Sequence, residues 1–205
     1  MKTINNVIAV AVFAVVIFLT ITTQNVFAQQ NDLKFDQKLQ ADFSVGMGGD
    51  AAALTRAFER SEKILEANPQ DAETLVWHGS ATVASSGKAF QNKNYAEGWA
   101  MWKKGLAEMD KAVELAPESF VVRIVRGATF LNASKRYPDP NVATELREKG
   151  VADYEKILSF TDEKSAKMAA SQKPKILNGL IEAYDKAGDK TKADFYREQL
   201  AKTAK

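Results

Sequence analysis

The sequence predicts an all-α fold built as an array of antiparallel helix pairs. Three observations lead there. Apolar residues recur at three- and four-residue spacing in segment after segment. No stretch sustains two-residue alternation with β-branched enrichment. The prolines, Pro69, Pro117, Pro138, Pro140 and Pro174, are expected at helix boundaries.

The first element is a predicted export signal over 1–28. Lys2 supplies a positive start, an apolar run extends from Val7 to Leu19, and polar residues follow from Thr20 to Asn25. Val26 and Ala28 then place small residues around a cleavage point after Ala28. The run is shorter than the roughly 20 apolar residues of a membrane span. A cleaved signal is therefore expected, with an N-terminal membrane anchor as the alternative if cleavage fails. Residues 29–205 form the single expected domain, with a formal charge of +1 once Lys2 is removed from the chain's +2.

Helices follow one another through this domain. Leu54, Phe58, Ser61, Ile64 and Leu65 share one face, and Asn68-Pro69 ends that helix. Asp71 can cap the next, which carries Leu75, His78, Gly79 and Thr82. Trp99, Trp102, Leu106, Met109 and Val113 make a stripe that stops at Ala116-Pro117. Ser119 can cap a helix bearing Ile124, Gly127 and Leu131. Val142, Leu146, Val151, Tyr154 and Leu158 form another. Leu177, Leu180, Ile181, Tyr184 and Ala187 lead to a turn at Gly188-Asp189, and Ala193, Tyr196 and Leu200 form the last. Each helix has one apolar stripe and cannot bury it alone, so neighbours must stack.

Composition excludes several function classes. The chain has 205 residues, 45% of them hydrophobic and 26% charged, ordinary for a globular domain. Its near-neutral charge does not suit a nucleic-acid binder. With no cysteine and one histidine there is no thiol nucleophile, no disulfide frame and no expected metal site. Few nucleophile–base combinations remain, and no phosphate loop or nucleophile elbow occurs, so no enzyme and no cofactor are expected.

A repeat is visible beneath the helices. Small residues Ala57 and Gly105 each stand twelve positions before a helix-ending proline, Pro69 and Pro117. Gly79 and Gly127 hold matching places in the helices that follow, 48 residues apart. Around Gly188-Asp189, Leu177, Leu180, Ala183 and Tyr184 face Ala193, Tyr196 and Leu200. This alternation of small and large packing residues resembles the tetratricopeptide repeat family, whose period is about 34. The longer spacing implies an insertion between Ser85 and Tyr95, and a second is expected around Phe160 to Lys173. Residues from about Asp42 to Gln199 also resemble exported bacterial proteins of that family. The segments that carry this are Leu75 to Gly79, Gly105 to Val113, and Val122 to Ile124 with Arg126 to Thr129. The resemblance implies a right-handed solenoid of about four pairs, and no particular activity.

In that repeat type the first helices line the concave face. Val76, Ser80, Val83, Ile124, Ala128, Leu131 and Asn132 then fall in or near a groove suited to a peptide or partner segment. A protein-interaction scaffold outside the cytoplasm, in the periplasm or beyond, is the expected function. A second reading is a small-anion site at His78, Arg123 and Arg126, where guanidinium forks could hold a carboxylate. The competing expectation is internal pairing: a buried His78 satisfied by a neighbour, and Arg126 paired with Glu73, Glu114 or Glu118. Trp99 and Trp102 are expected in the core and Trp77 at the surface.

Overall fold

A computed structural model describes residues 33–203 as eight helices with no strand among them. The segment 1–28, expected to be an export signal, lies outside the described residues. The helices are α1 (Gln37–Met47), α2 (Ala51–Ala67), α3 (Ala72–Gln91), α4 (Tyr95–Leu115), α5 (Phe120–Ser134), α6 (Pro140–Leu158), α7 (Glu163–Ala187) and α8 (Lys190–Thr203). None is long and apolar enough to cross a membrane.

Helix starts are written in the sequence. Asp36, Asp50, Asp71, Ser119, Asp139, Asp162 and Asp189 each accept a hydrogen bond from a backbone N–H of the first turn they cap. Such caps satisfy donors that a helix start leaves orphaned. Pro140 sits in the first turn of α6, where its missing N–H costs nothing. Gly188, at φ 78°, ends α7 in the left-handed conformation that glycine adopts without strain.

Short turns fold the chain into four hairpins: α1 with α2, α3 with α4, α5 with α6, and α7 with α8. The first helices of the hairpins also touch in succession, α1 on α3, α3 on α5 and α5 on α7. Three apolar clusters fill the seams. Phe43 and Ile64 centre one, Met109 and Phe130 the next, and Ile157, Leu177 and Leu180 the third. Trp77 and Ile124 each belong to two clusters, so the core runs on from pair to pair. At the far end Tyr184 stacks on Tyr196 with centroids 5.8 Å apart, and both hydroxyls donate to Glu155. Burial, then the bond to Glu155, raises both phenols above the ordinary tyrosine range.

The stretch expected to hold the first insertion, Ser85 to Tyr95, is helical to Gln91, where it continues α3, and α4 starts at Tyr95. The second is likewise helical from Glu163 and forms the first turns of α7. Pro174 lies inside that helix rather than at its boundary. Pro174 and Ala170, whose carbonyl loses its partner, are both exposed, so water can replace the missing bond. Helix α1 is not among the expected helices, although Asp36 followed by Leu39 and Phe43 carries its signal.

Within the second hairpin, glycine sets the spacing. A Cβ on Gly79 would stand 2.6 Å from the Gly105 carbonyl oxygen, and one on Gly105 would stand 2.5 Å from that of Gly79. Alanine normally gains about 1 kcal/mol over glycine in a helix interior. Here the obstruction is backbone, and overpacking of this kind costs about 1–3 kcal/mol. Gly79→Ala is therefore expected to lower stability by about 1–2 kcal/mol, read as a drop in the urea midpoint. A rise in the midpoint would show that α3 and α4 are free to separate.

Candidate functional site

The anion-site residues prove to be held internally. Asp153, fully buried on α6, faces α5. Its Oδ2 accepts from Arg126 Nε at 2.7 Å, and its Oδ1 accepts from Arg126 Nη2 at 2.8 Å and Arg123 Nη1 at 2.7 Å. Arg126 Nη1 reaches Asp110 on α4 at 2.8 Å, and Lys149 joins the same carboxylate at 2.9 Å. Arg123 Nε donates to the Pro117 carbonyl. The partners are thus Asp153 and Asp110, in place of the expected Glu73, Glu114 or Glu118. Spacing along one helix could not reveal them, because they arrive from α6 and α4.

Burial opposes the charge on Arg126, but Asp153 and Asp110 outweigh it and hold its pKa above the ordinary arginine value. Gly127 makes room for this network, since a Cβ there would meet Tyr154 at 2.7 Å and Asp153 at 3.2 Å. His78 is also buried, and its Nδ1 lies 2.7 Å from Glu108 Oε2 on α4, with the Phe58 ring edge-on at 5.2 Å. Among the described residues no cluster of three His, Cys, Asp or Glu side chains could hold a metal ion.

The groove residues divide. Ser80, Val83 and Asn132 line a cleft enclosing about 610 Å³. Val76, Ile124, Ala128 and Leu131 do not line it. Val76 is fully buried, Ile124 and Ala128 pack against core clusters, and Leu131 fills the space left by Gly150 and Gly179. The reason is packing on both sides of α5: Val76 is buried in the cluster that α3 shares with α4 and α5, while Ala128 and Leu131 turn towards α6 and α7, so these residues leave the surface.

The cleft spans three hairpins. Met47 at the end of α1 closes one side, α3 contributes its floor, and Thr129 of α5 meets Ser80 hydroxyl to hydroxyl at 2.8 Å. The extended tip of the second hairpin supplies an aromatic wall. Phe90 rests on Gly98 and meets Trp99 at 5.0 Å; Tyr137, from the α5–α6 turn, meets Trp99 at 5.6 Å and Trp102 at 5.4 Å. These edge-on and tilted contacts suit aromatic quadrupoles. Trp99 and Trp102 therefore face a cleft rather than lying wholly in the core. Trp77, expected at the surface, is covered instead, stacked against Phe35 at 6.4 Å and Phe43 at 6.3 Å.

Sequence reasoning missed Phe90, Ala84, Arg136 and Tyr137. Val83, Gly87 and Phe90 at helical spacing were the available signal, once the insertion is read as helix.

The buried network generates a stability prediction. Asp153→Asn leaves two guanidinium groups without their shared carboxylate and is expected to cost about 3–5 kcal/mol in urea unfolding. Asp153→Leu combined with Arg123→Met and Arg126→Met removes the carboxylate and both guanidiniums and is expected to cost less than that single change. The opposite order would mean that the charged network stabilises the fold more than apolar packing in its place.

No family model matches the chain, and comparison with curated proteins and with solved structures finds no match.

Proposed function

We propose that this chain is an exported, tetratricopeptide-like scaffold that binds a peptide segment of a partner protein in the aromatic cleft. The four hairpins with touching first helices support a right-handed solenoid of that type, with the cleft at the middle of its concave face. The one observation that carries the reading is the cleft itself, a half-buried aromatic wall facing the first helices of three consecutive hairpins. Exposed tryptophan and tyrosine are the side chains that dominate binding energy at protein interfaces. The alternative of a small anionic ligand at His78, Arg123 and Arg126 finds their principal donors already bound to Glu108, Asp153 and Asp110. No catalytic role is assigned to any residue.

The test is selection from a displayed random-peptide library, followed by affinity measurement on variants. Ala84 is exposed on the cleft floor, so Ala84→Glu crowds the cleft without disturbing the core. Ala84→Glu and Trp99→Ala are each expected to weaken selected peptides about tenfold or more, near 1.4 kcal/mol, with helicity unchanged by circular dichroism. Selected peptides that bind both variants as tightly as the parent would move the contact away from the cleft.

A further inference from the structure

The chemistry of the cleft narrows what kind of peptide it can take. Among the described residues its lining contains no aspartate or glutamate. The hydroxyls of Ser80 and Thr129 satisfy each other, and Ser86 donates to the Val83 carbonyl within its own helix. What remains is rich in donors. Among the described residues, no hydrogen bond within the chain uses the indole N–H of Trp99 or Trp102, the Asn132 amide or the Arg136 guanidinium. Arg136 has no ion-pair partner there, whereas its neighbour Lys135 is bound to Glu182.

A wall of aromatic rings with spare donors and no acids asks for a ligand with apolar bulk and spare acceptors. An α-helical ligand is a poor match, because its backbone carbonyls are already bonded within the helix. A polyproline II segment is a good one. It has no internal hydrogen bonds, so its carbonyls stay available, and its rings dock against aromatic grooves at low entropic cost. The unpaired cation at the mouth adds a preference for negative charge beside the proline run.

We propose that the cleft binds a proline-rich segment in the polyproline II conformation, with its rings against Trp99 and Tyr137 and an acidic side chain on Arg136. This rests on the reading of the cleft as a peptide-binding surface and adds the class of peptide.

Three ten-residue peptides, acetylated and amidated to remove terminal charges, distinguish the cases on the full chain. One carries prolines at positions one and four of its core with a flanking aspartate, the second replaces that aspartate with lysine, and the third is an acidic amphipathic helix without proline. Titration calorimetry, together with tryptophan fluorescence, reads binding. The aspartate peptide is expected to bind at least tenfold tighter than the lysine peptide. Arg136→Glu, at an exposed position, is expected to reverse that order, and Ala84→Glu to weaken both. An unchanged order in Arg136→Glu would overturn the assigned charge contact. Binding of the helical peptide alone would overturn the polyproline class while leaving a peptide-binding cleft in place. If none of the three binds but library-selected peptides do, the class is also wrong. If no peptide of either kind binds, both readings fall.

Discussion

Everything in this molecule depends on how closely two helices of a hairpin can approach. At Gly79 and Gly105 each backbone faces the other with no side chain between. Gly127 and Gly150 repeat the arrangement one hairpin later, with a Cβ on Gly150 standing 3.1 Å from the Gly127 carbonyl oxygen. Close packing at these points leaves the large side chains on either side to interlock, so Leu131 and Tyr154 fill the spaces that glycines vacate. A protein interior at this density transmits any added volume to the backbone. The hairpins are therefore rigid units, and stacking them fixes where the first helices lie.

That rigidity explains the use of buried charge. Asp153 is fully enclosed, and a carboxylate there is tolerable only with its guanidinium partners in place. Three helices, α4, α5 and α6, meet in that network through Asp110, Arg123, Arg126 and Asp153. His78 and Glu108 tie α3 to α4 in the same manner. Apolar stripes can slide by a turn with little loss, whereas a forked ion pair matches only one register. An intact buried pair of this kind adds little net stability over apolar packing, whereas removing one partner strands a buried charge.

The cleft is a by-product of unequal hairpins. The helices of the second hairpin, 20 and 21 residues long, outreach the 15-residue α5 beside them, which leaves their tip uncovered. Phe90, Trp99 and Trp102 lie towards that end and remain half-buried, with Tyr137 from the following turn against the two tryptophans. A difference in hairpin length thus leaves core-type side chains lining an open cleft, without any change in residue class.

Read by itself, the sequence determined the helices, their caps and the hairpin turns, because these depend on near neighbours. Asp71 and Ser119 cap as expected, and Gly188 turns the last pair. It also determined which side chains needed partners, since His78 and Arg126 stand at positions bound for burial. Tertiary structure alone decided who those partners are, because Glu108, Asp153 and Asp110 lie 16 to 30 residues away along the chain. It decided as well which stripe residues stay open. Trp99, on an apolar stripe, is expected in the core and Trp77 at the surface, and the structure reverses both. Trp77 lies under α1 and Trp99 beyond the reach of α5, and that difference is set by how the hairpins stack.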